Sequence, residues 1–271
     1  MKIGVVHVNT EAASGPYTEL ITANLERAKA DDTELVHRYV QHLRRATDTA
    51  IAYPTLLNKV DVVTQAVALE EEGVDAVLVA CSGDTGVPEA RTLLNIPMVG
   101  PMEAAMGLVV GYGWRFGILT VADRTWSSWL EQMVVSYGFS TRYGGQRQLE
   151  TPTAVIFTEG FERPEIVRAD IEARAREFAA MGVEAILIGS AGLSTFATYS
   201  GISKTPDPEM PVFDVISVGL KVAELRAELR SKLGVPAVSR AGWYSEFDAR
   251  NRDRVNALFG WAEPTVAADA S

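Results

Sequence analysis

Val74-Asp75-Ala76-Val77-Leu78-Val79-Ala80-Cys81-Ser82-Gly83-Asp84-Thr85-Gly86 is the stretch from which the rest of the chain is read. An apolar run interrupted only by Asp75 is the pattern of a strand buried on both faces of a parallel sheet. It breaks at once into Ser82-Gly83-Asp84-Thr85-Gly86, a turn-forming cluster that also offers cap residues for a helix predicted over 88–94. The only cysteine of the sequence, Cys81, sits at that break. It therefore lies just beyond the carboxyl end of a strand, where open α/β sheets bind ligands. Backbone N–H groups of the turn and of the following helix are expected to favour its thiolate. The plainer alternative is a free cysteine acting as a small buried hydrophobe.

A second copy of the pattern decides between lone strand and repeated unit. Met181-Gly182-Val183-Glu184-Ala185-Ile186-Leu187-Ile188-Gly189-Ser190-Ala191-Gly192-Leu193 follows residues 72–84 position for position. Gly182 matches Gly73, an acidic residue follows two places later, and Ser190 falls opposite Cys81. A further echo pairs Lys2-Ile3-Gly4-Val5-Val6 with Arg115-Phe116-Gly117-Ile118-Leu119. Self-similarity on this scale implies two related α/β lobes, not a short-period solenoid. Facing lobes would bring Cys81 and Ser190 to one cleft from opposite sides.

Composition is consistent with that picture. The 271 residues are 47% hydrophobic and 22% charged, enough apolar material for a sizeable core. A formal net charge of −10 argues against the clustered Lys/Arg footprint of a nucleic-acid binder. One cysteine cannot close an internal disulfide, and Met1 leads straight into a strand with no signal-peptide order, so a cytoplasmic location is expected. No apolar run approaches the roughly 20 residues of a membrane span. His7, His37, His42 and Cys81 make no zinc-type spacing, so no metal is expected. The expected partner is a small-molecule substrate, with neither nucleic acid nor membrane, and the apolar stripes leave a homo-oligomer open.

Strands and helices are predicted to alternate. Strands fall at 2–8, 34–40, 74–80, 96–100, 116–121, 141–148 and 183–189, and helices at 18–29, 56–72, 88–94, 102–112, 126–137, 164–181 and 215–233. Residues 12–17 read as a Gly/Pro-containing loop, and 41–54 as a mobile loop or short helix beside the cleft. Trp126, Trp129 and Met133, at helical spacing, read as core. Residues 11–17, 41–54 and 195–206 are expected to line the mouth. Strand 212–214 and the helix after it are expected to return to the first lobe, giving a first lobe of 1–105 plus 212–240 and a second of 106–211. Residues 241–271 form an extension, with a frayed tail from 262.

The run from Cys81 to Arg91, followed by Ile96-Pro97-Met98-Val99-Gly100, resembles the first half-site of the Asp/Glu/hydantoin racemase superfamily. Arg115-Phe116-Gly117-Ile118-Leu119-Thr120, Ile188-Gly189-Ser190-Ala191-Gly192-Leu193, and Pro211-Val212-Phe213-Asp214 with the helix bearing Gly219 to Glu224 are similar to its hydantoin and allantoin racemase branch. The likeness runs from residue 2 to about residue 225. It implies two pseudo-symmetric flavodoxin-like lobes, each a mainly parallel sheet flanked by helices, with the substrate in the cleft between them and no cofactor. In that family two cysteines flank a carbon next to a carbonyl, one thiolate removing the α-proton and the opposed thiol returning one. The resemblance gives Cys81 the first cysteine's place. It gives Asn9, Thr10, Ser82, Gly83, Thr120, Ala191 and Gly192 the turn positions that hold the substrate.

The second cysteine of the pattern is Ser190 here. A serine hydroxyl titrates far above neutral pH and has no adjacent histidine to activate it. Three readings follow. Cys81 serves a racemase or isomerase, with Ser190 a weak proton relay. Alternatively it serves one-sided chemistry, as a decarboxylase of malonate type or as the nucleophile of an amide or imide hydrolase. In the third reading the chain is a non-catalytic binder of small molecules. Arg91 and Arg124 read as surface salt-bridge partners. The apparent lack of a cation near the cleft disfavours a dicarboxylate and leaves room for a neutral ring such as a hydantoin.

Overall fold

The computed structural model describes residues 1–13 and 15–261 of the chain. The expected tail, 262–271, lies outside the described residues. The first lobe is built from β1 (Lys2–His7), α1 (Gly15–Ala28), β2 (Glu34–Tyr39), α2 (Ala52–Glu71), β3 (Ala76–Val79), α3 (Val87–Arg91), β4 (Met98–Val99) and α4 (Pro101–Val109). The second follows with β5 (Phe116–Thr120), α5 (Arg124–Ser136), β6 (Tyr143–Gln148), α6 (Thr153–Ile156), α7 (Glu159–Glu162), α8 (Pro164–Ala180), β7 (Ala185–Ile188), α9 (Ala191–Tyr199) and β8 (Val212–Asp214). Then come α10 (Val215–Leu233) and α11 (Ala249–Leu258). Each sheet has four parallel strands, in the orders β2-β1-β3-β4 and β6-β5-β7-β8. The chain is thus an α/β protein of two like lobes, each sheet flanked by helices.

The sequence repeat has physical causes that recur in both halves. Ile3 pairs with Ala76 and Phe116 with Ala185, so the two central strand pairs share one register. The acidic residue ahead of each buried strand ties down the start of its neighbour. Asp75 accepts from the Lys2 N–H at 2.7 Å, and Glu184 accepts from the Arg115 N–H at 3.4 Å and from the Trp114 N–H. Gly4 and Gly117 leave room for a helix: a Cβ at Gly4 would lie 2.8 Å from Leu69, and one at Gly117 2.5 Å from Phe178. Gly73 and Gly182 end the preceding helices with φ of +80° and +73°, a conformation that β-carbon sterics deny most residues.

Several expectations shift. α1 begins at Gly15 and α2 at Ala52, because a proline in the first helical turn sacrifices no intrahelical hydrogen bond. Residues 41–51 hold a short 3-10 turn (Ala46–Ala50). The segment 153–162, assigned no structure from sequence, forms α6 and α7. The strand expected over 96–100 shrinks to β4. β8 does not return to the first lobe: it pairs with β7 and completes the second sheet. Only α10 crosses back. It packs against β3, β4 and α4, while α4 reaches the second sheet at β7. Gly219 makes that approach possible, since a Cβ there would lie 2.8 Å from Leu78 and 3.1 Å from the Pro101 backbone.

Beyond α10, Arg240 anchors the extension by donating to the carbonyls of Arg91, at 2.8 Å, and Leu94, at 2.6 Å. Among the described residues no helix is long and apolar enough to cross a membrane, and no group of three His, Cys, Asp or Glu could hold a metal ion.

Candidate active site

Two strand ends meet where the lobes face one another. Cys81 follows β3 and Ser190 follows β7, and both line a cavity of about 580 Å³ between the lobes. The seam beside them is closed by hydrogen bonds to one carbonyl. Gly189 O accepts from the Ser82 hydroxyl at 3.4 Å and from the Trp126 indole N–H at 2.6 Å. Ser82 comes from the first lobe and Trp126 from the second, so the residue beside Cys81 is tied to the residue beside Ser190.

Cys81 is only 5% exposed, yet its side chain lines the cavity. The Gly83 N–H donates to Sγ at 3.4 Å and the Thr85 hydroxyl at 3.7 Å. With Thr49 beside them these donors favour the anion, but burial outweighs them and the charge of Asp84 opposes them. The thiol is therefore pushed up, not down. The expected pull of a helix N-terminus fails because the following helix, α3, is five residues long and starts only at Val87. Tyr17 is raised as well, by burial and then by the nearby Cys81.

Ser190 is the N-cap of α9, and its Oγ accepts from the Leu193 N–H at 3.4 Å. The N–H groups of Ala191 and Gly192, at the first turn of that helix, have no acceptor four residues back, and both residues line the cavity. Gly192 is closely covered: a Cβ there would lie 2.4 Å from Phe157 and 2.9 Å from Tyr17. Those two rings meet edge to face, 6.4 Å between centroids, one from each lobe.

Of the other residues singled out from the sequence, Asn9 and Ser82 line the cavity. Gly83 lies behind Cys81 as a donor to Sγ, with Trp126 packed so close that a Cβ would lie 2.9 Å from its ring. Thr10 and Thr120 are not among the lining residues described. Thr120 is wholly buried at the end of β5, and alternation along the strand gives the cavity to Val121 instead.

Sequence reasoning missed five contributors. Trp126 was assigned to the core; it is buried, but it also lines the cavity and binds Gly189 O. Its indole N–H, which needs a partner when buried, was the available signal. Phe157 and Phe161 come from the unassigned 153–162 segment, which lines the cavity where 195–206 was expected to do so. Arg44 and Arg45 line it too, so the site does not lack cations. Arg91, expected on the surface, is buried, bonded to Glu103 and to Met98 O at 3.1 Å, while Arg124 is exposed.

Comparison with known proteins agrees with this geometry. The family model described as Asp/Glu/Hydantoin racemase matches residues 3–223. A hydantoin racemase of Pseudomonas sp. (strain NS671) is 33% identical over 237 residues, covering 86% of this chain and 88% of that protein. One of Rhizobium meliloti is 28% identical over 57% of this chain and 61% of its own length. Among solved structures, the allantoin racemase from Klebsiella pneumoniae superposes with a TM-score of 0.72 at 25% identity, covering 92% of this chain and 94% of that one. The allantoin racemase from Pseudomonas fluorescens shares the fold, with a TM-score of 0.71 at 23% identity over 91% of this chain and 97% of that one. With a match over most of its length and strand ends that converge on one cleft, the chain belongs to the Asp/Glu/hydantoin racemase family, a family of racemase-type isomerases.

Proposed function

We propose that the protein moves a proton at a carbon next to a carbonyl in a small ring of the hydantoin type, with Cys81 as the acid-base group on one face. The observation that carries this reading is the shared cavity of Cys81 and Ser190, equivalent residues of two like lobes. In the forward step the Cys81 thiolate takes the α-proton. The electron pair passes into the adjacent carbonyl, and charge develops on its oxygen. The N–H groups of Ala191 and Gly192, which have no acceptor within their helix, suit that charge, and they need no reorganisation as it appears. Asn9 and Ser82 are polar groups placed to orient the ring.

On the opposite face stands Ser190. Its hydroxyl can donate a hydrogen bond but is a poor base at neutral pH. Inversion is therefore slower than exchange on the Cys81 face. In D₂O, the enantiomer whose α-hydrogen points at Cys81 should acquire deuterium faster than it racemises, as read by NMR and circular dichroism. Cys81→Ala should abolish both. Ser190→Cys, folded by circular dichroism, should raise racemisation by about 10²-fold, the usual scale of a positioned acid-base group. Exchange that survives Cys81→Ala, or no gain in a folded Ser190→Cys, overturns the assignment.

The role of Ser190 as a helix cap favours a second reading, in which only one face is used. A malonate-type acid would then lose CO₂ and be protonated once by Cys81. Release of CO₂ with a single, stereospecific deuterium identifies it.

A further inference from the structure

Arg44 and Arg45 stand out on a chain of net charge −10. Both line the cavity, both are exposed, and among the described residues neither guanidinium has an ion pair or a hydrogen-bond partner in the protein. Arg38, Arg91, Arg147, Arg163, Arg174 and Arg252, by contrast, all pair with carboxylates. The two are held by Ala46–Ala50, the 3-10 turn that also brings Thr49 beside Cys81, so their backbone is fixed relative to the thiol. Across the cavity the one carboxylate among the described lining residues is Asp123. It is occupied in capping α5, where it accepts from the Trp126 N–H at 2.9 Å. Tyr17, Leu20, Phe157 and Phe161 give the rest of the wall an apolar and aromatic stretch, to which Thr47, Thr49 and Thr153 add neutral hydroxyls. A bare five-membered ring leaves much of the 580 Å³ unfilled, so there is room for a substituent.

We propose that Arg44 and Arg45 make the site selective for rings that carry an anionic substituent, a carboxylate on a short arm at the reacting carbon. This rests on the reading of the cavity as a proton-transfer site. The aromatic wall would pack on the arm, and the two guanidinium forks, suited to a carboxylate, would bind its end. A pair of cations at the mouth also draws anions against the negative field of the whole chain, and added salt weakens that attraction.

The test compares two rings of the same shape: 5-(2-carboxyethyl)hydantoin, which is anionic, and 5-(2-carbamoylethyl)hydantoin, which is neutral. Binding is measured calorimetrically with the Cys81→Ala protein, and α-deuterium exchange with the wild type. The acid should bind about tenfold more tightly than the amide, the yield of partly solvated ion pairs. That ratio should fall towards unity in Arg44→Ala/Arg45→Ala and at high salt, and be partly restored in Arg44→Lys/Arg45→Lys. Equal binding of the two rings, or a double alanine variant that weakens both by one factor, overturns the selectivity and leaves the proton-transfer reading intact. Acid-selective binding with no Cys81-dependent exchange supports the arginine pair and counts against the reading of the reaction. Failure to bind either ring counts against both.

Discussion

At the residue, the energetics of Cys81 set the chemistry. A buried thiol held up by desolvation is mostly neutral in the unliganded cleft at neutral pH, so the base form must be drawn from a minority population. If the thiolate abstracts the α-proton, kcat/KM for deuterium exchange rises with pH. Its limb should lie above the ordinary thiol value of about 8.5. Thr85→Val removes a hydroxyl that favours the anion and should move the limb higher still. A limb at or below the ordinary value, or one indifferent to Thr85, would show that another group is the base. Cys81 and Ser190 were legible as a pair because each ends a buried strand in a repeated motif. The direction of the thiol shift was not, since it depends on how completely the cleft walls enclose the sulfur.

At the element, Asp84 fastens the loop after Cys81 to two other parts of the structure. Its carboxylate accepts from the N–H groups of Met102 and Glu103, at 3.0 and 2.9 Å, capping α4 from outside that helix. It also accepts from the Tyr137 hydroxyl at 2.9 Å, at the end of α5 in the other lobe. Burial still pushes the carboxyl up to about 7, against those three donors. Asp84 itself has φ of +49°, and Gly100 faces it so closely that a Cβ would lie 2.5 Å away. Asp84→Ala leaves three donors without their acceptor and should cost about 2–4 kcal/mol in urea unfolding. Asp84→Asn keeps one acceptor oxygen and should cost less. It also removes a charge that raises the Cys81 thiol, so its pH limb should shift down. A limb in Asp84→Asn that matches the wild type would separate this contact from the chemistry.

The same scale explains what could be read in advance. Strands and long helices were visible because burial on both faces, or on one stripe, leaves a periodic trace. α6 and α7, four residues each, carry too few residues for any period to appear, yet they deliver Phe157 to the cavity. Arg44 and Arg45 were passed over for a related reason. The segment 41–54 is expected at the mouth, but which of its polar side chains turn inwards leaves no trace in the sequence, and the fold is what puts these two on the cavity.

Over the whole molecule, the lobes are joined by more than a hinge. Asn24 Nδ2 donates to Thr195 O at 2.9 Å, and the Ala30 N–H donates to Glu224 at 2.8 Å. The crossing of α10 onto β3, matched by α4 against β7, adds apolar contact in both directions. Cutting the chain in the Gly111–Gly113 turn tests how strongly the halves depend on each other. Each fragment alone should lack native near-ultraviolet circular dichroism, because each keeps a sheet whose covering helix has gone with the other half. Mixed, the two should regain the intact protein's spectrum. Native-like folding of either piece by itself would refute that dependence.

The crossed helices also bear on how such a cleft admits its guest. A pair of plates bolted together at both edges cannot gape like a clam shell without stripping a helix from its seat. Entry and exit are left to the rim, where the Tyr17 and Arg45 side chains and the four-residue helices around Phe157 are small enough to step aside while the two strand tips keep their spacing.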